Sequence, residues 1–196
     1  RVRVVYNGVD VAGLSSEAAA GGEALRREWG WTPGETLVCC LLGLVSERKN
    51  QLLAVDAVLR ANERGAPVRL LLAGDPFKSS VEYGERLRQR IESEPARGLV
   101  RWLPFQKDVA GLYGAADVNL LVSSEEGFGR TIVEAGALAR PSIGARTGGI
   151  PELIDEGRSG WLVGDGAIEE LADVLVDAWN RREELPQFGA RARQRV

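Results

Sequence analysis

The sequence predicts a single α/β domain built on a Rossmann-like, doubly wound parallel sheet. Strand-like and helix-like segments alternate along the chain, and several of the strand segments are apolar at nearly every position. Alternation of this kind implies parallel strands with helices on both faces. A continuous apolar run suits a strand covered on both sides. At 196 residues the chain has the length of one ordinary domain and can bury a core without staples.

Taken in order, residues 2–6 read as a short strand followed by the turn Asn7-Gly8, and 17–29 as a helix closed by Gly30. Residues 36–44, containing Val38-Cys39-Cys40-Leu41-Leu42, form the first long apolar strand. Apolar positions Leu52, Leu53, Val55, Ala57, Val58 and Leu59 make 50–64 an amphipathic helix. Residues 68–73 are a buried strand ended by Gly74-Asp75-Pro76, which reads as a structural turn. A charged helix at 81–94 leads to a strand at 99–103. A short helix at 108–116 follows, with Asp108 placed as its N-cap, and then a strand at 117–122. The remaining pattern is helix 129–139, strand 141–145, the turn 147–151 into a short helix near Glu152, strand 160–163 and helix 168–182. The basic tail around Arg191, Arg193 and Arg195 reads as a solvated helix end. Right-handed crossovers between these strands give the Rossmann-like layout.

Composition narrows the function. Hydrophobic residues at 44% with 27% charged residues are normal for a soluble globular protein. The net charge of −3 gives no electrostatic case for nucleic acid or an anionic membrane. No apolar run is long enough to cross a bilayer. The two cysteines, Cys39 and Cys40, are neighbours on a strand and point to opposite faces, so they read as reduced, buried thiols of a cytosolic protein. With no histidine in the chain, catalysis by Ser-His-Asp or Cys-His and every histidine metal site are excluded from it. The chain has no Met and opens directly on a strand-like run, which reads as a piece of a longer protein or as trimmed ends.

In an open parallel sheet, ligands bind beyond the carboxyl ends of the strands, so the segments after strands matter most. In Gly43 to Asn50, Gly43 lets the backbone turn and approach a ligand. Lys49 sits at a predicted helix start, where a cation is unfavourable unless an anion is near. That anion could be a phosphate; a solvated surface lysine is the other reading. In Ser123 to Glu134, a loop with two glycines runs into a helix whose free N–H groups can hold an anion. Glu126 and Glu134 can face one cleft and accept from pairs of sugar hydroxyls, or they are acids favoured by the helix dipole; Glu125 reads as the latter or as solvated. The pair Gly148-Gly149 fits either close backbone approach or a plain turn.

Together these segments resemble the donor-binding half of family 4 glycosyltransferases, which have the GT-B fold. The resemblance runs along nearly the whole chain. It rests on Asn7-Gly8-Val9-Asp10, Gly43 to Asn50, Leu71-Leu72-Ala73-Gly74, Val100 to Phe105, the Glu-x7-Glu signature from Glu126-Gly127-Phe128-Gly129 to Glu134-Ala135, Gly148 to Glu152, and Gly160 to Val163. It implies that residues 1–196 are the C-terminal nucleotide-sugar-binding domain of a retaining enzyme, with the N-terminal acceptor domain absent and the isolated chain inactive. The donor would be a UDP- or GDP-linked sugar, with no catalytic metal. Glu126 and Lys49 would be catalytic, Glu126 holding hydroxyls of the transferred sugar and Lys49 neutralising the departing diphosphate. Backbone N–H groups of Phe128, Gly129, Arg130 and Thr131 would face sugar and diphosphate, and Glu134 would hold the ribose. The base would lie near Phe105 and Gln106, and Gly43 and Arg48 would complete the donor contacts. Leu44 and Pro104 depart from the family's usual Arg and Gly, and the stretch from Pro104 to Asp117 is shorter than usual. The resemblance further implies a cytoplasmic protein, peripheral to the membrane at full length. The competing readings are a non-catalytic nucleotide-binding or regulatory domain and a sugar-nucleotide epimerase or hydrolase of the same fold. A nicotinamide enzyme is disfavoured because no Gly-x-Gly-x-x-Gly follows the first strand.

Overall fold

The computed structural model describes residues 11–196; the predicted strand at 2–6 and its Asn7-Gly8 turn lie outside them. The apolar runs become the middle of a sheet. Strand β1 (Leu37–Leu42) is buried at every position. It is flanked by β2 (Val68–Ala73) and β4 (Val118–Leu121); β3 (Val100–Leu103), β5 (Ser142–Ala145) and β6 (Gly160–Val163) complete it. The order is β3-β2-β1-β4-β5-β6 and every pairing is parallel. Sequence order therefore reverses between β1 and β4, and a crevice opens there at the carboxyl ends of the strands.

Period-two alternation splits β1 between two cores. Leu37, Cys39 and Leu41 face one layer, with Ala54, Val55 and Val58 of α2 (Gln51–Glu63), Leu87 of α3 (Val81–Glu92) and Leu171 and Leu175 of α7 (Ile168–Asn180). Val38, Cys40 and Leu42 face the other, with Leu112 and Tyr113 of α4 (Ala110–Ala115) and Ala135 of α5 (Arg130–Ala137). Helix α1 (Val11–Trp29) packs on α4. The short α6 (Ile150–Leu153) packs beside α5 in a smaller apolar cluster with Leu121 and Leu162. The two thiols thus sit unbridged on opposite faces. Burial pushes Cys39 well above its ordinary value and Cys40 up to about 12.

Three elements differ from the sequence expectation. Helix α1 is already formed at Val11, the first described residue, rather than starting at 17. Gly13, Ser15 and Ser16 are weak helix formers, but each costs under about 1 kcal/mol in a helix, too little to stop one propagating from the turns that follow. Helix α2 begins at Gln51, because Glu47–Lys49 forms a separate 3-10 turn and Asn50 adopts a left-handed conformation at φ 56°. Asn tolerates that conformation, and its side chain is anchored, Nδ2 donating to the Val122 carbonyl at 2.9 Å. The basic tail is the solvated end of a helix longer than expected, α8 (Leu185–Arg195), which buries Leu185, Phe188, Gly189 and Ala192. Phe188 stacks on Trp161 with ring centroids 4.7 Å apart, while Arg191, Arg193 and Arg195 stay on the exposed face.

Candidate functional site

The loop after β1 is held by backbone contacts and by one buried amide. Gly43 N–H donates to Ala73 and Val45 N–H to Asp75, both at 2.9 Å. Gln51 is almost fully buried at the start of α2. Its Nε2 donates to the Leu44 carbonyl at 3.0 Å, and its Oε1 accepts from Ser46 N–H at 3.4 Å. The loop after β2 runs so close that a Cβ on Gly74 would stand 1.9 Å from the Gly43 carbonyl oxygen. Gly74-Asp75-Pro76 is thus a structural turn, but Asp75 does more: its Oδ1 accepts from Phe105 N–H at 3.3 Å and ties in the loop after β3.

The loop after β4 locks onto the loop after β1. Ser124 N–H donates to the Arg48 carbonyl at 2.9 Å, and Arg48 Nη1 donates to the Glu125 carbonyl at 2.8 Å. Lys49 Nζ lies 2.6 Å from Glu126 Oε2, with the two side chains 15% and 16% exposed. Lys49 is thus not a solvated surface lysine, and the anion near it is Glu126. Burial pushes the Glu126 carboxyl up. The hydrogen bond and charge of Lys49, helped by Arg48 and the Phe128 N–H, outweigh this and hold it below its ordinary value. Glu125 is exposed.

Gly148 and Gly149 serve close backbone approach. Gly148 has φ 50°, and a Cβ there would stand 1.7 Å from the Glu126 carbonyl oxygen. Thr147 Oγ1 donates to the Ser124 carbonyl at 3.0 Å, so the loops after β4 and β5 form one unit.

Gly129 opens α5 in the left-handed conformation, φ 92°. The first-turn N–H groups of α5 lack intrahelical acceptors. One turn on, Glu134 accepts from the Tyr113 hydroxyl at 2.8 Å and pairs with Arg130 at 3.1 Å. Tyr113 is fully buried; burial first, then the Glu134 charge, pushes its phenol well above the ordinary value. The Thr131 Oγ1 is buried without a hydrogen-bond partner among the described residues.

These loops enclose a cavity of about 440 Å³ at the crevice. Gly43, Phe105, Gln106, Arg130, Thr131 and Glu134, all singled out from the sequence, line it, joined by Leu44, Asp75 and Lys107. Arg48, Lys49, Glu126, Phe128 and Gly129 are not in its wall. Glu126 and Glu134 therefore do not share one cleft wall: Glu134 lines the cavity, and Glu126 is turned to Lys49. Arg48 clamps the Glu125 carbonyl. Phe105 is 67% exposed and Leu44 52%. Residues that sequence reasoning passed over are Gln51, Asp75 and Tyr113, each fixing a loop or a side chain of the site. No local signal marks them, because their partners are contributed by other segments. Asp108, expected as the cap, stands one residue before it: Val109 is the N-cap of α4, and Asp108 Oδ1 accepts from Ala110 N–H at 2.9 Å.

Residues 35–181 match the family described as Glycosyl transferases group 1. The chain is 33% identical over 181 residues to the D-inositol 3-phosphate glycosyltransferase of Saccharomonospora viridis, covering 89% of this chain and 41% of that protein. It is 31% identical over 183 residues to the protein of the same name from Mycolicibacterium smegmatis, covering 92% and 40%. The chain thus spans about two fifths of the length of these relatives. Among solved structures, Anabaena Alr3699/HepE in complex with UDP has a TM-score of 0.88 at 27% identity, over 98% of this chain and 53% of that one. The same protein has been solved with UDP-glucose. The C-terminal domain of the group 1 glycosyl transferase LpcC from Francisella tularensis shares the fold, with a TM-score of 0.82 at 18% identity over 96% of both chains. This chain belongs to the group 1 glycosyltransferases and has their Rossmann-like α/β fold. Among the described residues, no helix is long and apolar enough to cross a membrane.

Proposed function

We propose that this group 1 glycosyltransferase domain binds a uridine-diphosphate sugar in the crevice between β1 and β4 and presents it for transfer with retention of configuration. The observation that carries the reading is the wall of the cavity around the start of α5. Glu134 is held there by Tyr113 as a fixed acceptor. Thr131, whose hydroxyl has no hydrogen-bond partner among the described residues, lines the same wall, along with helix N–H groups suited to an anion. A ribose diol fits the carboxylate, a diphosphate fits the helix start, and a base fits against the exposed ring of Phe105. UDP and UDP-glucose in the Anabaena relative support uridine as the base.

In this reading the donor rearranges the Lys49–Glu126 pair. Lys49 turns to the diphosphate and Glu126 to hydroxyls of the sugar. The bond between the anomeric carbon and the phosphate oxygen breaks as the acceptor oxygen bonds to the same face. The electron pair passes to the phosphate, and the acceptor's proton follows it. Lys49, Arg130 and the helix start meet the charge that develops, so the scheme calls on no resident metal. The acceptor groups belong to a further domain of the full-length enzyme, and the present chain alone binds donor without transferring sugar. The full-length protein would work in the cytoplasm, at the membrane surface.

Thermal stability with UDP, GDP, ADP and NAD tests this. At about a hundred times its dissociation constant, a ligand adds roughly 2.7 kcal/mol. UDP should stabilise the chain, and Glu134→Gln should remove most of that gain. Stabilisation by NAD alone, by another nucleotide in place of UDP, or by UDP equally in Glu134→Gln would overturn the assignment.

A further inference from the structure

We propose that Arg130 makes binding of a ribose at Glu134 conditional on the diphosphate: the guanidinium and the ribose compete for one carboxylate, and the diphosphate frees it by drawing the guanidinium to itself. The inference rests on the nucleotide reading given above. It adds a selection rule to that site, namely preference for nucleotides over nucleosides, and assigns the rule to one side chain.

The Glu134 carboxylate is engaged on both oxygens. Oε2 accepts from the Tyr113 hydroxyl at 2.8 Å, and Oε1 stands 3.1 Å from Arg130 Nε. The two partners differ in depth. Tyr113 is fully buried, so Oε2 is held from the core side. The Arg130 side chain is 76% exposed against 17% for Glu134, so the guanidinium covers the carboxylate from the open side. A ribose diol that grips both oxygens enters from the cavity, whose wall contains Arg130 as well as Glu134, and meets the guanidinium there.

Arg130 is weakly held in that place. An exposed ion pair contributes little. A basic residue one turn ahead of its acidic partner, as in this i,i+4 pair, is the less favourable order on a helix. Arg130 is also the first residue of α5, where the macrodipole opposes a cation. A diphosphate at the helix start reverses the sign of that last effect, because guanidinium and free N–H groups then face one anion.

The other cations nearby are committed or placed elsewhere. Arg48 Nη1 donates to the Glu125 carbonyl at 2.8 Å, Lys49 is paired with Glu126 at 2.6 Å, and neither is in the cavity wall. Lys107 is in the wall but belongs to the loop after β3, beside Phe105 and Gln106. Removing Arg130 from Glu134 without a replacement would leave a mostly buried carboxylate short of a partner, which is costly. Ribose hydroxyls supply the replacement, so the two halves of the ligand assist each other through Arg130.

The experiment titrates the ¹⁵N-labelled chain with uridine and with UDP at constant ionic strength, for the unsubstituted chain, Arg130→Leu and Arg130→Gln. The position is exposed, so both variants should fold. Each should bind uridine as well as the unsubstituted chain does, or up to about fivefold more tightly, because the competitor is gone. Each should bind UDP about tenfold or more weakly, because a charge-assisted contact is gone. The ratio of UDP to uridine affinity should therefore fall by about tenfold or more. A smaller fall, whether both ligands weaken alike or neither changes, or any weakening of uridine binding, would overturn the exchange and leave Arg130 at most a support for Glu134. If the unsubstituted chain binds neither ligand saturably, the nucleotide reading itself fails and takes the exchange with it.

Discussion

Replacing Lys49 by methionine would leave the Glu126 carboxylate without its main partner in a mostly dry setting. Breaking a fully buried ion pair from one side costs about 3–5 kcal/mol. Here the side chains keep 15% and 16% exposure, so water shares the load and about 2 kcal/mol is expected. In a domain of this size that is about 4–8 °C in Tm. The pH dependence follows from the sign of the shift. In the native chain Glu126 is held below its ordinary 4.5, so the pair's contribution is present above the unfolded value and lost as pH falls through the lowered one. In Lys49→Met burial, the largest single influence on Glu126, is opposed only by Arg48 and the Phe128 N–H, and the carboxyl rises. The penalty is then full at neutral pH and fades as pH falls through the raised value, where the acid protonates. Urea unfolding at pH 7 and pH 5, read by tryptophan fluorescence, measures both. Lys49→Met/Glu126→Gln should recover about 1 kcal/mol over Lys49→Met at pH 7 by removing the stranded charge. A loss under about 0.5 kcal/mol at pH 7, or a penalty that does not shrink at pH 5, would refute the pairing.

Gly148→Ala adds a methyl against the Glu126 carbonyl and should cost several kcal/mol in urea unfolding, whereas Gly157→Ala, also at positive φ but with open space around it, should cost only about 1–2 kcal/mol. Tyr113→Phe removes the hydroxyl that holds Glu134; it should lower stability by about 1–2 kcal/mol and weaken UDP binding in a calorimetric titration, and unchanged affinity would show that Glu134 positions itself. Thiol labelling at pH 8 should find Cys39 and Cys40 unreactive in the native chain, since both are buried and pushed above their ordinary values, and both reactive in urea.

The sheet was legible because burial on both faces leaves a local mark: β1 and β2 are apolar runs whatever they pair with. Helix α8 left no such mark. Its second half alternates with arginines, and its inward face packs on segments distant in the chain, Phe188 on Trp161 and Gly189 on Ala139. The same division holds in the site. That Gly43, Arg130, Thr131 and Glu134 line one cavity was expected from glycines and a helix start that follow strands, together with the family resemblance. The turning of Glu126 to Lys49 was not legible, since it depends on how two loops meet. Nor were the roles of Gln51 and Asp75, whose work is to hold backbone in neighbouring loops.

Lys49 and Glu126 are 77 positions apart in the chain, and the strands that carry them become neighbours only when β4 crosses back past β1. No fragment ending before β4 can contain both, and no early hairpin or helix can assemble them. Their pairing is a long-range event of the kind that forms slowly and late. Occupancy of the crevice is therefore a test of a finished sheet. During refolding, recovery of nucleotide affinity should trail the recovery of helical signal, and a protease cut between β3 and β4 that lets the halves separate should end binding while each half keeps helices of its own.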